Sequence, residues 1–390
     1  MSPPVHTRRP TVLILLGALW PGNDSSGANQ TVKRLCMALA DDFEFLVLAR
    51  SAAPGETSTK RFPDGWHALE FARVKHLPVR GGIAKGLLPL LRSTRHDLMW
   101  LNSVWDREFT LPALAARRFG AIPRHSTLLS THGELSDQAL GLKPVRKRAM
   151  RAVLNHGRLL DDVVLQVSTP AEGVDVARYF PRSDIFCAGN AMPFPPPLSP
   201  ATRQGGVRRA LFVGRISPVK GLMEALEALA LVDAPLRFDI AGPIADAEYW
   251  RRCQTVIARL PSHVAVGHLG ELSSGRVSCE LAQSDFLLLP SHSENFGHAI
   301  FEALAAGVPV VIGPNTPWQE LEFKHAGVIA EPSDARALAA AIARLATLPS
   351  NELPLWRQGA WSVAQDYVAA SPDAELWRVR LNEMLARAKP

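Results

Sequence analysis

Residues 286–313 read FLLLPSHSENFGHAIFEALAAGVPVVIG. The apolar run at the start of this stretch predicts a buried strand, and a polar loop that contains Glu294 follows it. Gly297 allows a tight turn into a helix that contains Glu302, and Gly307 ends this helix just before a second apolar strand. A strand, a helix and a strand in this order are typical of a parallel α/β sheet.

The same alternation extends over both halves of the chain. In the first half it predicts strands at 11–16, 45–48, 97–101, 126–130 and 163–167, and helices at 28–40 and 110–118. In the second half it predicts strands at 210–213, 237–240, 264–269, 286–289 and 308–312, and helices at 222–231, 299–306 and 335–346. The tail over 355–388 has a helical pattern. We therefore expect an α/β protein with two doubly wound parallel sheets.

The length of 390 residues exceeds what one ordinary core needs, so we expect two domains. The alternation stops between residues 181 and 209, where residues 193–200 contain five prolines and Gly205-Gly206 follows. We therefore predict a first domain over residues 1–190, a linker over 191–208 and a second domain over 209–370. A last helix over 371–390 can pack back on the first domain.

Positive charge is concentrated in the first half of the chain. The net charge is +6, and residues 1–190 contain 25 Lys and Arg against 17 Asp and Glu, whereas residues 191–390 contain 18 against 20. This asymmetry predicts attraction of the first domain to an anionic membrane surface or to a phosphate-bearing acceptor. Nucleic acid is not expected as a partner, because no nucleic-acid-binding motif accompanies the charge.

The cysteines and the apolar segments indicate the compartment. The four cysteines are scattered and lack the paired spacing of zinc sites, which predicts reduced thiols in a cytoplasmic protein. The apolar run after Arg9 is short and has no cleavage site, so it predicts a buried strand rather than a signal peptide. No stretch reaches the roughly 18 apolar residues of a membrane span. We expect a cytoplasmic protein that is at most peripheral on the inner face of the membrane.

The stretch from Glu294 to Glu302 has the chemistry of a nucleotide-sugar site. Because Gly297 turns the chain tightly, the backbone N–H groups that follow it point outward at a helix N-terminus, where they can bind phosphate or sugar hydroxyls. Glu302 can accept two hydrogen bonds from a ribose diol, and Glu294 can reach a hexose above the helix. The alternative for each glutamate alone is a solvated or salt-bridged side chain.

A second segment, LFVGRISPVKG over residues 211–221, ends a strand at Gly214 and contains two cations, Arg215 and Lys220. Two cations beside a helix N-terminus form a strong pyrophosphate site, and they stabilise a leaving diphosphate. The spacing is not that of a P-loop. Two solvated loop charges are the alternative.

A third segment, STHGELSDQALGLKPVRKRAM over residues 130–150, places His132 directly after a short strand. A single histidine is more often structural than catalytic. The basic run that follows contains Lys143, Arg146, Lys147 and Arg148. A solvated helix face is the ordinary explanation of such a run, and binding to a membrane or to an acceptor phosphate is the functional one.

Together these segments resemble the large family of retaining glycosyltransferases called family 4, whose bacterial members make lipopolysaccharide and exopolysaccharide. E-N-F-G-H-A-I-F-E matches the family's E-x7-E element, and the G-R-x-x-x-x-K-G pattern is also similar. The resemblance covers nearly the whole chain and is most specific over residues 210–320. It implies the GT-B architecture, in which two Rossmann-like domains face a central cleft. The first domain would bind the acceptor and the second the nucleotide-sugar.

The resemblance also implies roles for single residues. Glu294 would hold the donor sugar and Glu302 the ribose, while Arg215 and Lys220 would bind the diphosphate. The backbone around Asn295, Phe296 and Gly297 would lie near the sugar and the phosphate. In polysaccharide-type members, the histidine that corresponds to His132 lies beside the donor sugar.

Two features of the first domain depart from the family pattern. Its usual glycine pair before the first helix is Ser26-Gly27 here, so only Gly27 matches as a donor-site residue. Asn190 remains of the usual P-N-G hinge. For Glu172, which resembles part of the family's last N-domain turn, a packing role is the better interpretation.

The family implies a metal-independent, retaining transfer of a hexose from a nucleotide-sugar, with no cofactor, to a glycan or a polyprenyl-diphosphate-linked acceptor. Because Glu294 is assigned to sugar hydroxyls, we favour front-face substitution over a carboxylate nucleophile. One alternative is a GT-B phosphorylase or epimerase. Another is a non-catalytic nucleotide-sugar-binding partner of a glycan-assembly complex, although such a protein would be expected to have lost Arg215, Lys220 or Glu294.

Overall fold

The computed structural model describes residues 8–20, 23, 26–52, 65–78, 83–136, 140, 144–198 and 206–387. Lys143 of the basic run and residues 199–205 of the predicted linker lie outside the described residues. The chain divides into two compact units, each with its own sheet. Unit 1 contains residues 1–192 and 371–390, and unit 2 contains residues 193–370.

Unit 1 is built around one mostly parallel sheet. The strands described in it are β1 (Thr11–Leu16), β2 (Glu44–Arg50), β3 (His67–Ala68), β4 (Arg73–Leu77), β5 (Leu98–Asn102), β6 (Ser126–Ser130), β7 (Val163–Val167) and β8 (Asp184–Cys187). Their order is β3-β4-β2-β1-β5-β6-β7-β8, and the pair β3–β4 is antiparallel. The helices described between them are α1 (Gly27–Ala38), α2 (Ile83–Ser93), α3 (Thr110–Arg118), α4 (Pro144–His156) and α5 (Pro170–Tyr179).

Unit 2 repeats this design with a fully parallel sheet. Its described strands are β9 (Arg208–Val213), β10 (Leu236–Ala241), β11 (Val264–Gly270), β12 (Phe286–Leu289), β13 (Val310–Ile312) and β14 (Gly327–Ile329). They lie in the order β11-β10-β9-β12-β13-β14. A short 3-10 turn, Pro218–Lys220, precedes the helices α6 (Leu222–Leu229), α7 (Ala247–Ile257), α8 (Ser274–Ala282), α9 (His298–Ala305), α10 (Ala335–Ala346) and α11 (Leu353–Ala370).

The central strands are buried on both faces, as parallel sheets require. Every residue of β1 is buried, and its register places it between β2 and β5. Two apolar clusters cover the two faces of the unit 1 sheet. The predicted buried strand over 11–16 is therefore confirmed.

The last helix, α12 (Asp373–Arg387), belongs to unit 1. Trp377 is fully buried and packs against Trp100 with ring centroids 5.0 Å apart. The helix is fastened at its start, where the Gly189 N–H donates to Asp373 Oδ1 at 2.7 Å and Trp377 Nε1 donates to the Gly189 carbonyl at 3.2 Å. A Cβ on Gly189 would lie 2.8 Å from the Asp373 carboxylate, so a larger residue there would displace this side chain.

The structure corrects two details of the predicted elements. The interruption predicted from residue 181 is wrong at its beginning, because Asp184–Cys187 forms β8 and pairs in parallel with β7. This four-residue edge strand is only partly buried, so it lacks the continuous apolar run of a central strand. The strand predicted from residue 308 begins at Val310, because Gly307 still turns the chain with φ of 67°. Among the described helices, none is long and apolar enough to cross a membrane.

We predict that Trp377→Ala destabilises unit 1 by about 3–5 kcal/mol, because it leaves a cavity against Trp100. The measurement is urea unfolding followed by circular dichroism and by the fluorescence of the remaining tryptophans. Leu376→Ala on the same helix is the control, since Leu376 is 40% exposed and its loss should cost less than 1 kcal/mol. Equal costs for the two variants would contradict the proposed contribution of α12.

Candidate functional site

The predicted donor residues of unit 2 lie at the carboxyl edge of its sheet. β9 and β12 are parallel neighbours, so the loops that follow them leave from the same edge. The loop after β9 contains Gly214, Arg215 and Lys220, and the loop after β12 contains Glu294. Ligands of open α/β sheets bind at such an edge.

Several contacts join these two loops directly. Lys220 Nζ donates to Glu294 Oε1 at 2.6 Å, and Ser291 Oγ donates to the same oxygen at 2.7 Å. The His292 N–H donates to the carbonyl of Val219 at 2.9 Å. The structure therefore brings Lys220 and Glu294, two of the predicted catalytic residues, into contact. We call this set of contacts the loop clasp.

Gly221 lets the loops approach each other closely. Its φ of 71° lies in the left-handed region, and a Cβ there would lie 2.0 Å from the Pro290 carbonyl oxygen. Any side chain at this position would therefore push the two loops apart. The glycine is as much a part of the clasp as the ion pair.

The clasp leaves positive charge available for a ligand. The side chains of Lys220 and Glu294 are 19% and 9% exposed, so their ion pair is partly shielded from water. An ammonium group has three donors, and the bond to Glu294 uses one of them. Arg215 is exposed on the same loop. The loop after β9 can therefore offer two cations to an anion.

The helix start predicted at Gly297 is confirmed. Gly297 has φ of 80° and precedes α9, which begins at His298. Trp318 Nε1 donates to the Phe296 carbonyl at 2.6 Å, and the two rings pack edge to face at 5.4 Å. Phe296 is buried by this packing, so its ring supports the turn and only its backbone can contact a ligand.

Asn295 and Glu302 complete the predicted donor residues of unit 2. Both are half-buried, Asn295 in the turn and Glu302 within α9. Glu302 lies four residues after His298, about one helical turn from the start of α9. It therefore lies near the N-terminus of α9.

Glu224 and His292 form a second link that the sequence analysis missed. His292 Nε2 lies 2.7 Å from Glu224 Oε1, which connects the first turn of α6 to the Glu294 loop. A carboxylate in the first turn of a helix was visible in the sequence, but such residues are common there for dipole reasons alone. Cys253 lies near Glu224, and burial raises the pKa of its thiol to about 11. This thiol is therefore unreactive.

His132 lies in unit 1, in the turn after β6. Its φ of 50° is in the left-handed region, and its Nε2 lies 2.9 Å from Asn102 Oδ1 at the end of β5. Burial lowers the pKa of His132 to about 4, although the charge of Glu172 acts in the opposite direction. The imidazole is therefore neutral near pH 7 and can act as a hydrogen-bonding group.

Glu172 stabilises the turn that contains His132 through hydrogen bonds to its carboxylate. Its carboxylate accepts hydrogen bonds from Thr131 Oγ1 at 2.5 Å, from the Gly133 N–H at 2.5 Å and from the Ser168 N–H at 2.8 Å. The side chain is buried. These contacts agree with the packing role that the sequence favoured for Glu172.

Glu134 is a further residue that the sequence analysis did not single out. Its carboxylate accepts hydrogen bonds from Ser103 Oγ at 2.7 Å and from the Val104 N–H at 2.8 Å. Burial raises its pKa to about 7. The partners follow β5, about 30 residues earlier in the chain, so no local spacing could have revealed this contact.

Gly27, the remaining predicted donor residue, is the first residue of α1 in unit 1 and is exposed. The structure ties this helix to the predicted hinge residue, because Thr31 Oγ1 donates to Asn190 Oδ1 at 2.7 Å. His132 and Gly27 thus belong to unit 1, and all other predicted site residues belong to unit 2.

A comparison with known protein families finds a match within unit 2. Residues 200–355 match the family model described as glycosyl transferases group 1. This segment is a glycosyltransferase group 1 domain. It includes the whole loop clasp and the helix N-terminus after Gly297.

The chain resembles two curated glycosyltransferases over parts of their length. A putative teichuronic acid biosynthesis glycosyltransferase from Bacillus subtilis is 31% identical over 138 residues, which are 35% of this chain and 32% of the relative. A putative colanic acid biosynthesis glycosyltransferase from Escherichia coli is 29% identical over 213 residues, or 52% and 48%. The chain thus matches about a third of the length of the Bacillus relative and about half of the length of the Escherichia coli relative.

The likeness to solved structures extends over the whole chain. HepE from Anabaena, in complex with UDP and glucose, has a TM-score of 0.70 at 18% identity and covers 97% of this chain and 100% of its own. This likeness confirms the predicted two-domain α/β fold of the GT-B type. The glycosyltransferase group 1 domain is thus the second of two α/β units.

We predict that the stability of unit 1 rises with pH between about 4 and 6.5, partly through His132. Its folded pKa of about 4 is below the ordinary value of 6.5, so the unfolded chain binds more protons in this window and acid favours unfolding. His132→Asn keeps a residue that tolerates the left-handed backbone but does not titrate. Its unfolding free energy should therefore rise less steeply, by up to about 1.4 kcal/mol per pH unit.

The measurement is urea unfolding at a series of pH values for both proteins. His76→Asn serves as a comparison, because burial also lowers the pKa of His76 to about 4 and its loss should flatten the curve similarly. Parallel curves for the wild type and His132→Asn would show that His132 titrates normally in the folded protein.

Proposed function

We propose that this protein is a retaining glycosyltransferase of the family 4 type. It would transfer a hexose from a nucleotide-sugar to a glycan or a polyprenyl-diphosphate-linked acceptor in the synthesis of a cell-surface polysaccharide. The observation that supports this most is the loop clasp. It gathers a lysine and a glutamate, with an exposed arginine on the same loop, beside a helix N-terminus in a glycosyltransferase group 1 domain.

The donor diphosphate would bind to the loop after β9. Lys220 can hold Glu294 and a phosphate oxygen at the same time, because its ammonium has donors left over. Arg215 is exposed, and its planar guanidinium group can donate hydrogen bonds to the same phosphates. HepE, which has the same fold, binds UDP and glucose, and this supports a nucleoside diphosphate sugar as the donor.

Glu294 would position the sugar and would not attack it. Its Oε1 already accepts hydrogen bonds from Lys220 and Ser291, which stabilises the carboxylate charge and reduces its nucleophilicity. Glu302, near the start of α9, would accept hydrogen bonds from the ribose hydroxyls.

We infer a front-face substitution on these grounds. The acceptor hydroxyl oxygen bonds to the anomeric carbon on the face from which the phosphate leaves, so the configuration is retained. The hydroxyl proton passes to the departing phosphate oxygen. Arg215 and Lys220 neutralise the charge that develops on the diphosphate, and because they supply two positive charges the proposal includes no metal ion. His132, neutral near pH 7, would hydrogen-bond to the donor sugar.

We predict that Lys220→Ala lowers turnover by about 100-fold or more, because the departing diphosphate loses a preorganised cation. Ser291→Ala removes a neutral donor to the same Glu294 oxygen and leaves the cation, so it should cost less than about tenfold. Arg215→Ala should resemble Lys220→Ala, and Glu302→Ala should mainly raise the KM for the donor. The measurement is release of nucleoside diphosphate from a panel of UDP-, GDP- and ADP-sugars, with and without acceptor.

Lys324→Ala is the matched control, since Lys324 is a surface lysine of unit 2 that pairs with Asp366 at 2.9 Å. Unchanged turnover in Lys220→Ala and Arg215→Ala, together with unchanged donor KM in Glu302→Ala, would refute the site. Release of nucleoside diphosphate without any acceptor would instead favour hydrolysis of the donor or an epimerase-like reaction. The absence of any turnover despite donor binding would favour a non-catalytic binding protein.

The acceptor side of the proposal includes the inner face of the cytoplasmic membrane. Helix α4 has four basic residues and no acidic residue, and Arg146 and Arg148 are exposed. Val145 and Val153 on the same helix are 78% and 51% exposed. Exposed valines flanked by arginines suit an interface between anionic headgroups and acyl chains. We propose that α4 contacts this membrane, where a polyprenyl-linked acceptor would reside.

We predict that the protein binds vesicles of phosphatidylcholine with phosphatidylglycerol, but not vesicles of phosphatidylcholine alone. Arg146→Ser with Arg148→Ser should weaken this binding by roughly 2 kcal/mol, or about 30-fold, because each basic residue contributes about 1 kcal/mol near an anionic surface. The measurement is co-sedimentation at low and high salt. The control is Arg252→Ser with Arg259→Ser, which removes the same charge from the surface of unit 2. An equal loss in both pairs would mean that only net charge matters.

A further inference from the structure

Two neighbouring loops of unit 1 contain strained residues at the carboxyl edge of the sheet. Ser103, after β5, has φ of 74°, and His132, after β6, has φ of 50°. The left-handed region is unfavourable for residues other than glycine, so such residues persist only where their surroundings hold them. β5 and β6 are parallel neighbours, so both strained positions lie on the same edge.

One side chain, Glu134, holds both loops. From the loop after β5, Ser103 Oγ and the Val104 N–H donate to its carboxylate, and Trp105 Nε1 donates to its backbone carbonyl at 3.1 Å. From the turn after β6, its own N–H donates to the Thr131 carbonyl at 3.0 Å. Glu134 thus connects the segment before His132 to the segment that contains Ser103.

Desolvation of the Glu134 carboxylate is unfavourable for the stability of the folded protein. Burial raises the pKa of Glu134 to about 7, with the bonds from Ser103 and Val104 and the charge of Lys147 on α4 acting in the opposite direction. A buried carboxylate is generally less favourable than a well-packed apolar side chain of similar volume. Glu134 therefore contributes mainly through the geometry that it fixes, which is the connection between the β5 loop and the β6 turn.

We propose that Glu134 is a positioning residue for His132. Its carboxylate fastens the β5 loop to the β6 turn, and this keeps the His132 imidazole beside Asn102 at the sheet edge. The importance of this position for turnover rests on the proposed function, in which His132 contacts the donor sugar. The fastening itself does not depend on that function.

The position of His132 depends on both strand ends. Nε2 of the imidazole pairs with Asn102 Oδ1 at 2.9 Å, and Asn102 is the last residue of β5, directly before Ser103. Asn102 itself is fixed in β5, where it pairs with Ser130 of β6 and donates to the Leu15 carbonyl. If the His132 turn moves away from the β5 loop, the imidazole leaves Asn102 and water reaches the ring. The imidazole then titrates closer to its ordinary value of 6.5 than to about 4.

The test is NMR titration of histidine-labelled full-length protein. The chain has 12 histidines, so the His132 signal is identified by its absence in His132→Asn. In Glu134→Leu, which keeps the volume and removes the acceptors, the His132 midpoint should rise by at least one pH unit. In Glu134→Gln the amide oxygen can accept from Val104 and the amide nitrogen can donate to Ser103 Oγ, so the wild-type midpoint should be restored.

Asp373→Asn is the matched control for general destabilisation. Asp373 is a buried carboxylate of unit 1, and it accepts a hydrogen bond from the Gly189 N–H at the start of α12. This variant should lower the thermal stability without moving the His132 midpoint. An unchanged midpoint in folded Glu134→Leu would overturn the proposal. If that variant does not fold, a midpoint in Ser103→Ala equal to that of the wild type would overturn it equally.

Turnover separates this inference from the proposed function. With an active donor, Glu134→Leu should lower kcat by about 100-fold, because small displacements of a contacting group are costly. The donor KM should change less than about twofold, because the diphosphate-binding cations belong to unit 2, and Glu134→Gln should recover most of kcat. A shifted His132 midpoint in a protein that is inactive with every donor would support the positioning role and count against the proposed function.

Discussion

Burial of the parallel strands on both faces is the constraint on which the rest of this structure depends. Because helices cover both faces of each sheet, loops that can bind a ligand remain at the strand ends, and the polar side chains of the predicted site meet there. In unit 2 this brings Glu294 and Lys220 together, although 74 residues separate them in the chain. In unit 1 it does the same for His132 and Asn102. The apolar strands thus place the predicted site residues at the sheet edges.

The two units use this edge in different ways. In unit 2 the clasp is partly exposed and holds a cation that can gain a phosphate partner without losing Glu294. In unit 1 the carboxylates of Glu134 and Glu172 are turned inward and accept hydrogen bonds from loop hydroxyls and backbone N–H groups. One edge is suited to binding an anionic ligand. The other fixes a neutral imidazole, which suits contact with uncharged hydroxyls.

The sequence predicted those parts of the fold that depend on local pattern. The strands 11–16, 126–130, 163–167 and 286–289 were predicted with the observed bounds, because each contains a short apolar run. β8 was missed because a short, half-exposed edge strand has no such run. The turn at Gly297 was predictable for a similar reason, since only glycine readily takes φ of 80° there.

The site was predictable only as far as its motifs extend along the chain. A motif identifies Lys220 and Glu294 but contains no information that the two side chains touch, because that contact depends on the order β9-β12 in the sheet. Glu134 and Glu224 lie inside or beside quoted segments, yet their partners come from other strands and loops. A residue that positions another residue has no characteristic sequence spacing by which it can be recognised. Such positioning residues become visible only when the sheet order is known, and here they connect the loops that contain the predicted site.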